Sequence, residues 1–118
     1  MPSAVIKEVS SLEFSEVSGA RGAYIKWILS PKDGAPNFSM RLIRLEAGGT
    51  IPEHSHPWEH EIYVLKGIGR IKVGEETYRI SEGKAVLIPP SVGHEYHAES
   101  EMLFLCLIPN SGVPPEHK

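Results

Sequence analysis

The segment GGTIPEHSHPWEHEIYVLKG (residues 48–67) decides how this sequence is interpreted. It contains three of the chain's six histidines, His54, His56 and His60. A fourth, His94, lies in the later segment SVGHEY. Because imidazole is the commonest metal ligand in proteins, four histidines concentrated in two short segments predict a metal site.

Strand geometry sorts the acidic residues beside these histidines. Successive side chains of a β-strand point to opposite faces, so residues of equal parity share a face. In an unbroken strand the three histidines share a face with Ile62 and Val64, while Glu61 points away. A bulge at Pro57 and Trp58 would shift this count by one and leave Glu61 as the alternative ligand.

The rest of the chain has the pattern of short strands separated by turns. Stretches rich in β-branched and aromatic residues predict strands at 23–29, 38–45, 60–66, 68–73, 76–80, 84–88 and 102–108. Glycine, proline and acidic residues separate these stretches, as in EAGG and VGEE, and no long segment has helical periodicity. The pattern predicts an all-β antiparallel sandwich or barrel.

One predicted strand is apolar on both faces. Phe38, Met40 and Leu42 share one face, and Ile43 and Leu45 share the other. A strand with one wet face would alternate cleanly, so the second apolar face needs a cover from a second sheet or a second subunit. We therefore expect a homodimer.

The two histidine segments resemble the two sequence motifs of the cupin superfamily. The positions that match are Gly48, His54, His56 and Gly67 in the first motif and Gly83, Pro89 and His94 in the second. The resemblance implies a cupin fold, which is a double-stranded antiparallel β-helix or jelly-roll β-barrel. It implies a single domain over 1–118, with the core barrel at about 38–108, N-terminal strands in 1–37 and a loose tail at 109–118.

The sequence departs from the family pattern at three positions. His60 stands where glutamate is usual, Ser91 where glycine is usual and Ala98 where asparagine is usual. The first departure resembles a subgroup of small single-domain cupins with four-histidine sites, some of which bind manganese. This resemblance implies that His54, His56, His60 and His94 bind one divalent ion per chain, with manganese first and iron, nickel or zinc as alternatives.

The ligand set predicts the chemistry of the site. Four neutral imidazoles leave a divalent ion its full +2 charge, which favours anionic or enolisable oxygen ligands. Four ligands saturate tetrahedral zinc but leave two open positions on an octahedral ion.

Five residues are candidates for the substrate pocket: Arg41, Ile51, Tyr96, Phe104 and Cys106. An inward-facing arginine needs a partner, which is either a structural salt bridge or an anionic substrate. Cys106 is either a wall of the pocket or an ordinary buried core residue. These residues together predict a small-molecule substrate with an anionic or enolate head and an apolar body.

Three classes of function fit these features. The first, which we favour, is a non-haem metal oxygenase or other oxidoreductase acting on a small organic substrate. The second is a non-redox isomerase, lyase or cyclase acting on a sugar or keto acid, and the third is a small-molecule binding cupin. A net charge of −3 argues against nucleic acid as a partner, and no apolar run is long enough for a membrane span. With one cysteine, a reducing cytoplasm is the expected location.

Overall fold

Antiparallel β-strands dominate the computed structural model, which describes residues 3–118; Met1 and Pro2 of the predicted domain lie outside this range. The strands are β1 (Ser15–Glu16), β2 (Arg21–Leu29), β3 (Phe38–His54), β4 (His60–Lys66), β5 (Ile68–Val73), β6 (Glu76–Ser81), β7 (Ala85–Ile88), β8 (His94–Ala98) and β9 (Met102–Pro109). The helices are four 3₁₀ turns of three residues, Val9–Ser11, Pro31–Asp33, Asn110–Gly112 and Pro115–His117. None of these described helices could cross a membrane. The predicted all-β fold is confirmed.

The strands curl into one sheet with the order β6-β5-β8-β3-β9-β4-β7, and β2 pairs with β3. The long strand β3 links the two halves, because its first part pairs with β2 and β9 and its last part pairs with β8. The sequence predicted that this strand would stop at residue 45, which is wrong. Gly48, with φ of 80°, and Gly49, where a Cβ would lie 2.6 Å from the Gly22 carbonyl oxygen, let the strand continue through the bend.

The inward faces of the strands form a continuous apolar core. Even-numbered residues of β4, β8 and β9 are buried, as alternation requires, except Lys66 at the end of β4. The most deeply buried apolar side chains are Leu45, Val64, Ile71, Ile88, Met102, Phe104 and Cys106. The core therefore fills the barrel below the end at which His60 and His94 begin their strands.

The C-terminal tail packs firmly against the barrel, in contrast to the loose tail that we expected. Asn110 accepts a hydrogen bond from Ser39 Oγ at 2.7 Å and donates one to the Ala35 carbonyl at 2.7 Å. Val113 is buried in the core, and the His117 ring stacks on Trp27 at 4.3 Å. This packing was not predictable because the tail has few apolar residues and its anchors are one amide, one valine and one histidine ring.

Candidate metal centre

Four histidines reach one end of the barrel from three separate parts of the chain. His54 ends β3, His60 begins β4 and His94 begins β8, while His56 lies in the loop between β3 and β4. The strand is therefore broken between His54 and His60, so the condition of an unbroken strand, under which the parity of the histidines was counted, is not met. The histidines converge nevertheless, because the loop and the strand ends all lie at the same end of the barrel.

A bulge in β3 turns the His54 side chain toward the inner face of the barrel. Ile51 pairs with Tyr96 and His54 pairs with His94, so β3 uses three steps where β8 uses two. This shift lets the odd-numbered Ile51 and the even-numbered His54 share the inner face. The bulge lies at Pro52 and Glu53, several residues before the Pro57 and Trp58 position considered from the sequence.

The histidine rings lie close enough to share one ion. One ligating nitrogen from each of His54, His56 and His94 lies within 4.8 Å of the other two. The His60 ring lies 5.1 Å from the rings of both His56 and His94, measured between centroids. The structure thus supports a three-histidine metal site, and His60 as a fourth ligand stays a prediction.

Hydrogen bonds set the tautomers of two of the rings. The Nδ1 of His54 lies 2.8 Å from the Pro52 carbonyl oxygen, and the Nδ1 of His94 lies 3.0 Å from the Val92 carbonyl oxygen. A carbonyl only accepts, so each Nδ1 carries the proton and each Nε2 keeps its lone pair. In metal-binding histidines, the ring nitrogen that does not bind the ion commonly donates its hydrogen to a carbonyl in this way.

Two buried nitrogens at this end of the barrel fit a metal ion. The Nε2 atoms of His60 and His94 are buried without a hydrogen-bond partner among residues 3–118. Buried polar atoms are nearly always paired, so such orphaned atoms need an explanation. A divalent cation bound by these lone pairs satisfies them, and the donor set is suited to a transition metal.

The environment keeps these histidines neutral. Burial, and next the neighbouring His54, lowers the pKa of His56 to about 4. Burial, and next the positive charge of Arg41, lowers the pKa of His60 to about 3. Burial also lowers the pKa of His94. Neutral imidazole is the form that binds metal, so the site is ready to bind an ion at neutral pH.

These shifts predict a pH dependence of stability. An unfolded histidine takes up a proton near pH ~6.5, whereas His56 and His60 in the folded chain resist protonation to much lower pH. The unfolded state therefore binds more protons as the pH falls below ~6.5, and the free energy of unfolding decreases. Thermal melts of the metal-free protein between pH 7.5 and 5 should show this decrease. A His56→Asn, His60→Asn double variant should lose most of it, and an unchanged slope would contradict the assignment.

Trp58 covers the outer side of the histidines. Its indole stacks on the His56 ring with centroids 4.7 Å apart and planes 5° apart. The tail lies behind it, since a Cβ at Gly112 would lie only 2.5 Å from the indole Cε2. The tail thus fixes the position of the Trp58 indole, and the indole in turn packs against the His56 ring. From the sequence, Trp58 was considered as a possible bulge position, and no local pattern pointed to its contact with Gly112.

This contact predicts that Gly112→Val displaces the Trp58 indole and, with it, the His56 ring. We expect the affinity for Mn²⁺ to fall about tenfold, which is the lower end of the effect of losing an outer-shell partner. Isothermal titration of the variant measures this. Gly34→Val is the matched control for a glycine in a turn, because no atom lies within 4 Å of a Cβ there, although φ of 92° adds backbone strain. Unchanged affinity in Gly112→Val would show that Trp58 does not position His56.

Arg41 enters the barrel beside His60. Its Nη2 donates to the Cys106 sulfur at 2.8 Å and lies 3.5 Å from the Nδ1 of His60. Its guanidinium also lies over the Trp27 ring at 5.4 Å, and its Nε is buried without a partner among the described residues. No carboxylate in residues 3–118 forms a salt bridge with it, so the structural salt bridge considered from the sequence is not present there.

The other candidates for the pocket also face the barrel interior. The Tyr96 ring lies 5.9 Å from the His94 ring and stacks on the Phe104 ring at 5.3 Å, measured between centroids. Ile51 is the strand partner of Tyr96. Burial raises the pKa of Tyr96 well above its usual value, so this hydroxyl stays protonated and acts as a donor. Contact of these residues with a substrate stays a prediction. Glu61 is exposed on the opposite face of β4, as parity indicated.

Comparison with known proteins gives the family. Residues 41–108 match the family model described as Cupin domain. An uncharacterized protein of Streptomyces coelicolor is 32% identical over 95 residues, which cover 80% of this chain and 83% of the relative.

Solved structures share the fold. The polyketide cyclase RemF from Streptomyces resistomycificus superimposes with a TM-score of 0.84 at 27% identity, covering 93% of this chain and 80% of that one. KdgF from Halomonas sp. superimposes with a TM-score of 0.81 at 18% identity, covering 97% and 98% of the two chains. The second likeness concerns the fold alone.

Proposed function

This chain belongs to the cupin domain family, and on that premise we propose that it is a metal-dependent enzyme acting on a small anionic or enolisable substrate. The proposed ligands are His54, His56, His60 and His94, and the proposed ion is Mn²⁺, by resemblance to the four-histidine subgroup. Bound there, the ion supplies a Lewis acid of full +2 charge that stabilises an oxyanion or enolate.

The observation that carries this proposal is a free cation beside the histidines. Arg41 lies within 3.5 Å of His60, and its only hydrogen-bond acceptors among residues 3–118 are neutral side chains. The Arg41 guanidinium is partly buried and its Nε is fully buried, and a cation in that position without a carboxylate is costly unless an anion completes it. Its planar donors suit a carboxylate or an enolate oxygen. An anionic head held by Arg41 places the adjacent substrate oxygen at the histidine cluster.

The remaining walls orient the substrate and exclude water. Ile51 and Tyr96 form the proposed apolar wall, Tyr96 adds one hydroxyl, and the fully buried Phe104 packs behind Tyr96. The described interior has no buried carboxylate to act as a general base. Burial raises the pKa of Cys106, so its thiol stays protonated at neutral pH. The chain's own contribution is therefore binding, orientation and electrostatics rather than proton abstraction by an acidic side chain.

Among reaction types, non-redox cyclase-like chemistry has the strongest support. RemF, whose structure matches 93% of this chain, is a polyketide cyclase. Cyclisation of a polyketone proceeds through enolates, the species that a Lewis acid and a nearby cation stabilise. The oxygenase that we favoured from the sequence is the second candidate, and the four-histidine set supports it by leaving two positions open on an octahedral ion.

One experiment separates the two candidates. The protein is loaded with Mn²⁺, Fe²⁺ or Zn²⁺ and incubated with β-diketones, keto acids and catechols under air. Deuterium exchange at the enolisable carbon without oxygen uptake indicates the non-redox reaction, whereas oxygen uptake indicates the oxygenase. His94→Ala is the control for metal-dependent activity. Neither signal above this control, with any of the three ions, would contradict the proposed function.

We also propose that the chain forms a homodimer through its outer apolar face. This face comprises Phe38, Tyr63, Leu65 and Leu87, which are exposed by 62%, 45%, 41% and 60% on the strands β3, β4 and β7. Apolar patches of this kind are typical of subunit interfaces.

Light scattering at micromolar concentration should report twice the 13.0 kDa chain mass. The double variant Phe38→Glu, Leu87→Glu should halve the measured mass. Tyr78→Glu, on β6, is the control and should leave the mass unchanged. A wild-type mass of one chain would rule out the dimer.

A further inference from the structure

His60 differs from the other histidines in what lies beside its Nδ1. In His54 and His94 that nitrogen faces a backbone carbonyl, which fixes the Nε2 lone pair toward the cluster. At His60 the neighbours of the Nδ1 are the Cys106 sulfur at 3.3 Å and the Arg41 Nη2 at 3.5 Å. No backbone carbonyl within residues 3–118 takes this role for His60.

The chemistry of these two neighbours is unequal. A guanidinium carries donors only, so Arg41 cannot accept a proton from imidazole. Thiol sulfur is an acceptor, although a weak one. If the Nδ1 accepted from Arg41 instead, the proton of the neutral ring would be on Nε2. That tautomer would point an N–H group at the other histidines and could not bind an ion.

The strand register explains why sulfur reaches this position. Strand β9 lies between β3 and β4, and Cys106 pairs with Arg41 on one side and with Ile62 on the other. Cys106 is 1% exposed, and its sulfur contacts both polar groups. An ordinary aliphatic core residue there would leave both groups without this acceptor.

We propose that Cys106 is a positioning residue for His60: its sulfur accepts the Nδ1 hydrogen and keeps the Nε2 lone pair facing the other three histidines. This role rests on the proposed metal-dependent function, and it replaces the choice between pocket wall and plain core. The donor contact from Arg41 fixes the sulfur in place. Cys106 thus does for His60 what the Pro52 and Val92 carbonyls do for the other two rings.

The tautomer of His60 in the metal-free protein tests this directly. Long-range proton–nitrogen NMR should show the Nδ1–H form in the wild type and in Cys106→Ser, which keeps an acceptor. In Cys106→Ala the Nε2–H form should dominate, because Arg41 is then the only polar neighbour of the Nδ1 left among residues 3–118. An Nε2–H tautomer in the wild type, or an unchanged tautomer in Cys106→Ala, would overturn the proposal.

Titration with Mn²⁺ gives the second readout. Cys106→Ala should lower the affinity about ten- to hundredfold, the usual effect of losing an outer-shell partner, whereas Cys106→Ser should stay close to the wild type. Ile80→Val, a buried residue of β6, is the control for a general loss of core packing. Equal affinity in the wild type and Cys106→Ala would overturn the proposal. A wild type that binds no ion would contradict the proposed function, while the tautomer measurement would still decide the role of Cys106.

Discussion

Replacing His60 by alanine is expected to lower the affinity for Mn²⁺ about a hundredfold. Losing even an outer-shell partner of a metal ligand typically lowers the affinity about ten- to hundredfold, so loss of a ligand itself should reach at least the upper end of that range. The buried Nε2 of His60, which has no partner among the described residues, is the atom that the substitution removes.

Glu61→Ala is the matched control. Glu61 is the acidic neighbour of His60, and its side chain is exposed on the outer face of β4. Its removal should change the Mn²⁺ affinity by less than about twofold, because salt screens an exposed charge on the outer face of the sheet. Isothermal titration of both variants gives the ranking. A larger loss in Glu61→Ala than in His60→Ala would mean that the usual glutamate of the family motif binds the ion here.

Replacing Arg41 by methionine is expected to abolish most of the affinity for an anionic substrate analogue. A hydrogen bond to a charged group contributes roughly 1.5–3 kcal/mol, so binding of a small keto acid should weaken about ten- to 150-fold. Methionine keeps an apolar stem, so the change removes mainly the charge and its donors. The bound metal should remain, and metal analysis of the same sample checks this.

Arg44→Met is the control for a general loss of positive charge. Arg44 lies on the same strand but forms an exposed ion pair with Glu101 at 2.8 Å. Its loss should leave binding of the keto acid within about twofold, because exposed charges are screened by salt. Equal weakening in the two variants would show that the anion is attracted by the general field of the protein. No weakening in Arg41→Met would remove Arg41 from the substrate site.

Much of the fold was predictable because apolar alternation and turn residues are local signals. The strand at 60–66 was predicted at its observed bounds, and the strand at 102–108 was one residue short. Strand β8 was missed because His94–Ala98 has no β-branched residue. Its strand is imposed by pairing with β3 and β5, which local propensity does not show.

Three of the four predicted ligands, His54, His56 and His94, come together as expected, but the geometry of the site was not predictable. Parity correctly placed His60, Ile62 and Val64 on the inner face of β4. It could not show that His56 lies in a loop, since the break before His60 depends on where Trp58 packs. The contact of Cys106 with Arg41 and His60 was also out of reach, because it depends on the register of β9 against two strands distant in sequence.

The most direct test of the account is the metal content of the purified chain. The protein is prepared without a histidine tag or chelator, exposed to Mn²⁺, freed of unbound ions and analysed by atomic emission. We expect one divalent ion per chain, and none above background in a His54→Ala, His94→Ala double variant that retains the wild-type circular dichroism. A wild type that holds no more metal than the double variant would contradict the metal centre and the function built on it.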